Sequence, residues 1–165
     1  MPPHTRASLE ALRIRGHHLL CMFGFRGLGY SPEFVENMQA VVDSLFSPLG
    51  VEVEVIAVCD DICRACPHLR HGECGAREGS EVSVRAKDQM VLSRLGLVAG
   101  DRAPSALLVQ RVIESISSDA LADICARCQW QPAGYCQEGL RRAGDALTDV
   151  SREPGCRPHT AEAGA

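Results

Sequence analysis

Two stretches of this chain repeat one another. Asp61-Ile62-Cys63-Arg64-Ala65-Cys66 is followed by Gly72-Glu73-Cys74, and Asp123-Ile124-Cys125-Ala126-Arg127-Cys128 is followed by Gly134-Tyr135-Cys136. The cysteines recur 62 residues on (63 to 125, 66 to 128, 74 to 136), as do the aspartate, the isoleucine and the glycine. Six matched positions in one register read as the internal duplication of a metal-binding unit. Two thiols separated by two residues can turn inward on one metal or cluster, and the third returns after a loop eased by Gly72 or Gly134. Each unit then brings three ligands, so a closed site needs a fourth from elsewhere in the chain.

The inventory supplies the missing ligands. Cys59 lies four residues before Cys63, and Cys21 sits in an apolar segment near the start, so two four-cysteine sites are possible with Cys156 to spare. Sequence spacing leaves open which extra cysteine serves which repeat. It also leaves open the metal. Zinc ribbons join two C-x-x-C pairs, often with glycine at the knuckle, whereas here Pro67 follows Cys66, Gln129 follows Cys128 and each third cysteine stands alone. That pattern is closer to a cluster-binding run, in which Cys-Pro also occurs, and points to one or two [4Fe–4S] clusters with zinc as the alternative. A plainer arrangement would place Cys63, Cys66, Cys125 and Cys128 around one structural zinc, but it leaves the repeated third cysteine unexplained.

The compartment decides what nine cysteines do. The first residues run into mixed polar sequence instead of an apolar segment with a cleavage site, and no stretch approaches the roughly 18 apolar residues of a membrane helix. The expectation is a cytoplasmic protein without a membrane partner, in which clustered thiols stay reduced and available to metal. Nine is also odd, so complete internal disulfide pairing is excluded. A formal charge of −4 with scattered arginines gives no attraction for a phosphate backbone, so no nucleic-acid partner is expected. With aromatic residues at 4% of 165, large rings are scarce, and a metal would help hold one domain of this length together.

The chain order fits an α+β domain with a small sheet, several helices and two cysteine-lined lobes related by duplication. Residues 1–8 read as a flexible lead-in, 9–151 as one metal-binding domain and 152–165 as a disordered tail rich in Pro, Gly and Ala. Leu12 to Arg15 and Val51 to Val55 alternate as strands do. Ser31-Pro32-Glu33 starts a helix, with a cap, a proline at the first helical position and an acid in the first turn. It should run to about Phe46 and bury Phe34, Val35, Met38, Val41, Val42 and Leu45. Further helices are expected over 84–95, over 105–116, and from about Ser118 to deliver Cys125 and Cys128.

A second constellation lies near the start: Arg15-Gly16-His17-His18-Leu19-Leu20-Cys21, then Gly24-Phe25-Arg26-Gly27-Leu28-Gly29-Tyr30-Ser31. With the first cysteine motif and its Cys-Pro, and with Gly134-Tyr135-Cys136-Gln137-Glu138-Gly139-Leu140, it resembles the family catalogued as domain of unknown function 1284. The resemblance runs from about Leu12 to Arg141, and it implies iron–sulfur binding as the suspected property of these small bacterial and archaeal proteins, with no established reaction. From their own chemistry, His17 and His18 read either as packed structural rings or as a cluster ligand or proton donor beside it. Arg26 reads either as a solvated turn residue or as a clamp for a small anionic substrate. Asp61 and Asp123 should cap the turns that present the cysteines, and Trp130 and Tyr135 should shield a cluster. The function expected is an iron–sulfur protein: an electron carrier with a redox partner if cysteine ligates every iron, or a cluster-dependent enzyme if one iron stays open. The rival is a zinc-stabilised interaction module.

Overall fold

The computed structural model describes residues 10–76 and 80–152. The expected lead-in and tail fall outside these, except that Arg152 ends the last helix. The elements in order are β1 (Leu12–Arg15), α1 (His18–Cys21), α2 (Pro32–Leu45), β2 (Glu52–Ile56), β3 (Leu69–Arg70) and β4 (Glu73–Cys74). There follow α3 (Ser80–Arg94), β5 (Arg102–Pro104), α4 (Ser105–Ser115), α5 (Ser118–Ile124) and α6 (Tyr135–Arg152). Single 3₁₀ turns occupy Cys63–Ala65 and Gln131–Ala133. Among the described residues the protein is thus α+β, with a small mixed sheet and six helices. No helix among the described residues is long and apolar enough to cross a membrane.

Three strands make the main sheet in the order β1-β2-β5. β1 lies parallel to β2, with Leu12 opposite Val53 and Ile14 opposite Val55, and α2 makes the crossover that a parallel pair requires. β5 runs antiparallel on the other side, with Pro104 at the strand end, where its missing N–H costs nothing. α2 begins as its sequence dictates: the Ser31 hydroxyl accepts the Phe34 N–H at 3.2 Å and Pro32 takes the first position. Met38, Val41 and Leu45 are buried on its inner face, while Phe34 and Val42 pack at the margin of the core. Ile14, Val53, Val55, Leu92, Leu108, Val112 and Leu121 complete one apolar core.

Two close approaches set where the cysteines meet. The chain leaving α1 lies flush on α6: a Cβ added at Gly139 would stand 1.8 Å from the Phe23 carbonyl oxygen, and one at Gly24 would stand 2.3 Å from Cys136 Sγ. Alanine in a helix normally improves on glycine by up to about 1 kcal/mol. Gly139→Ala should do the reverse, lowering stability by about 1 to 3 kcal/mol because the Phe23 backbone has to move. A thermal or denaturant melt that shows Gly139→Ala at or above wild-type stability would contradict this packing.

Candidate functional site

β2 ends at Ile56, and the chain then runs through Cys59, Asp60 and Asp61 into the 3₁₀ turn that presents Cys63 and Cys66. Asp60 organises this passage. Its carboxylate accepts the Arg15 N–H at 2.8 Å, His18 Nδ1 at 2.7 Å and the Cys63 N–H at 3.0 Å, so one buried side chain ties β1, α1 and the cysteine turn together. The cap of the turn is therefore Asp60, and not Asp61 as the repeat suggested. Asp61 accepts the Arg13 N–H at 2.8 Å and pairs with Arg64 instead. Asn37 of α2 fixes the same loop by donating to the carbonyls of Asp61 and Ile62.

Around this turn the structure brings together Cys59, Cys63, Cys66 and Cys74. Cys59 neighbours both Cys63 and Cys74, and Cys66 neighbours Cys74. Burial pushes the thiols of Cys59, Cys63 and Cys66 up, and the Asp60 carboxylate adds to the effect at Cys63. The second group is Cys125 at the C-cap of α5, Cys128 one turn on, Cys136 in the first turn of α6, and Cys21 from the end of α1. Burial pushes the Cys21 thiol well up, and its neighbours Cys136, Cys128 and Cys125 push the same way while the Lys87 ammonium opposes them. Burial likewise pushes Cys136 up to about 11. Thiols held protonated by burial and by one another are a donor set that a thiophilic cation relieves, since binding releases the protons.

The two C-x-x-C turns have the same local bonds. The Cys66 N–H reaches the Cys63 carbonyl at 2.9 Å, and the Cys128 N–H reaches the Cys125 carbonyl at 2.8 Å. Leu69 and Gln131 repeat the bond one turn on, and Gly72 and Gly134 both adopt positive φ, 82° and 71°. The contexts then diverge. Cys74 ends a two-strand hairpin (β3-β4), whereas Cys136 opens an 18-residue helix.

Beside the first group lies a buried charge network. Arg15, 1% exposed, donates from Nε to Asp88 at 2.8 Å, pairs with Glu81 at 3.3 Å, and turns Nη1 to Cys59 Sγ at 3.5 Å and Cys63 Sγ at 3.9 Å. Burial works against this charge, but the Asp88 and Glu81 carboxylates outweigh it and hold the guanidinium protonated. Glu81 in turn accepts the Cys74 N–H at 2.8 Å and faces Cys59 Sγ at 3.7 Å. Asp88 also takes His17 Nδ1 at 2.6 Å. Burial lowers the His17 pKa to about 4, so at neutral pH it is an uncharged ring whose Nδ1–H donates to Asp88. The His17 and His18 rings stand 4.3 Å apart, each backed by a buried carboxylate that fixes its orientation. His18, Asp60 and Cys63 bring ligand atoms within 4.8 Å of one another. Arg26 lies away from this network: it pairs with Glu138 at 2.7 Å and its guanidinium covers the Tyr135 ring at 4.6 Å, which fastens the glycine-rich loop to α6.

The profile of the family described as Protein of unknown function (DUF1284) matches residues 29–134. The chain belongs to that family. In this DUF1284 chain the matched span holds Cys59, Cys63, Cys66, Cys74, Cys125 and Cys128, while His17, His18, Cys21, Arg26 and Cys136 lie outside it. No curated protein and no solved structure matches the chain. The residues that sequence reasoning missed are Asp60, Glu81 and Asp88. Acids on loops and helices are mostly solvated, and only long-range packing against Arg15 shows that these three are buried.

Proposed function

We propose that this is an iron–sulfur protein with two centres, one held by Cys59, Cys63, Cys66 and Cys74 and the other by Cys21, Cys125, Cys128 and Cys136, and that it carries electrons. The observation that carries the reading is the gathering of eight cysteines into two groups of four, each group being one repeat plus one cysteine from outside it. Four thiolates match the four irons of a [4Fe–4S] cluster, which leaves no iron open and favours electron transfer over substrate chemistry. The lone third cysteine of each repeat, and Pro67 directly after Cys66, support clusters over single zinc ions. The matched C-x-x-C turns support the duplication, with each half keeping one centre.

Bound clusters would supply one-electron chemistry, and the chain's own residues adjust it. Arg15 directs N–H groups at Cys59 and Cys63, which stabilises added negative charge and raises the potential of the first centre. Short range between the centres comes from α1: His18 lies beside Cys63, and Cys21, three residues on and about 4.5 Å along the helix, belongs to the other group. The partner this implies is a one-electron redox protein, in keeping with a cytoplasmic location. Protein purified without oxygen is expected to be brown and to contain iron and acid-labile sulfide, since thiolate-to-iron charge transfer absorbs visible light and d¹⁰ zinc does not. Colourless protein with stoichiometric zinc would sink the reading in favour of a zinc-stabilised interaction module.

A further inference from the structure

Tyr30 stands where the two cysteine groups meet. Its ring lies 4.8 Å from His68 and 6.2 Å from Trp130. His68 follows Cys66 by two residues and Trp130 follows Cys128 by two, so these are corresponding positions of the two repeats (68 to 130), and both turn toward the same tyrosine. The phenol has Cys66 of one group and Cys128 and Cys21 of the other as neighbours. The ring is held from behind. Phe34 packs against it at 5.2 Å, and a Cβ on Gly29 would come within 2.6 Å of the Phe34 ring, so the loop lies tight on the first turn of α2. Ser31, the next residue, caps that helix.

We propose that Tyr30 is a wall shared by both cysteine groups, so that a residue that ligates neither centre governs metal retention at both. This rests on the two-centre reading above. The physical argument is exclusion of water and chelating groups: a flat ring packed against the residues two after the second cysteine of each C-x-x-C pair narrows the approach to those metal–thiolate bonds. His68 and Trp130 each complete the wall on one side only. Tyr30 is 44% exposed, so replacing it opens the wall without emptying the core.

The test uses the full chain purified without oxygen, a limiting amount of a chelator such as EDTA, and iodoacetamide, with alkylation of each cysteine followed by peptide mass spectrometry. In Tyr30→Ala both groups should be labelled several-fold faster than in wild type, whereas Tyr30→Phe, which keeps the ring, should stay close to wild type. His68→Ala should speed labelling of Cys59, Cys63, Cys66 and Cys74 alone, and Trp130→Ala that of Cys21, Cys125, Cys128 and Cys136 alone. Tyr30→Leu keeps apolar bulk and should speed both groups to a smaller extent, so a result stands even if alanine unfolds the chain. Acceleration at one group only, or at neither, overturns the proposal while the two-centre reading survives. Wild-type protein whose eight thiols are all labelled at once with no chelator present overturns both.

Discussion

Cys21→Ala is expected to empty one centre and spare the other, so that bound iron falls to about half with the remaining sulfide in proportion, because metal occupancy depends on a complete ligand set. The effect should be as large as that of Cys125→Ser, although Cys21 lies far from the second repeat in sequence, because Cys21 has Cys125, Cys128 and Cys136 as its neighbours. Cys59→Ala should remove the complementary half, and the double variant should remove nearly all. Cys156→Ala serves as the control that changes nothing. Iron and sulfide analysis with visible spectra of the single and double variants decides the matter. If Cys21→Ala and Cys63→Ser prove to empty the same centre, the pairing of Cys21 with the second repeat is wrong.

Asp88→Ala should cost about 3 to 5 kcal/mol of folding stability, the usual penalty for breaking a buried ion pair and leaving its partner uncompensated. The Asp88 side chain is fully buried and meets Arg15 at 2.8 Å and His17 at 2.6 Å. Removing it strands a guanidinium that, among the described residues, has Glu81 left as its acidic partner. The Arg15→Met, Asp88→Leu double variant should recover much of the loss, since buried ion pairs replaced by apolar groups of similar volume are often neutral. It should also lower the potential of the first centre, because the N–H groups that face Cys59 and Cys63 are gone. Denaturant melts without oxygen at matched metal content measure the first effect, and redox titration measures the second. An Asp88→Ala cost below about 1 kcal/mol, the level of an exposed pair, would show that the network is not the buried unit described here.

What the sequence determined by itself is what short-range physics controls. Ser31 and Pro32 start α2 because cap and proline act within one turn, and the strands at 12–15 and 52–56 follow from alternation. The repeat marked six thiols because the spacing of C-x-x-C is a local geometric requirement. α3 was foreseen from residue 84 but begins at Ser80, because its first buried residues are Ser80 and Glu81, which an apolar pattern does not register. α6 carried no clear signal in a stretch interrupted by Gly139 and Gly144, and Gly139 is there because Phe23 leaves no room for a side chain. Only the tertiary structure assigned Cys59 to the first group and Cys21 to the second, turned Asp60 instead of Asp61 toward Cys63, and set Tyr30 between the repeats. Each of these joins residues that are close only after the sheet and helices have packed. Spacing along the chain fixes which thiols can share a turn, and packing fixes which distant residue completes them.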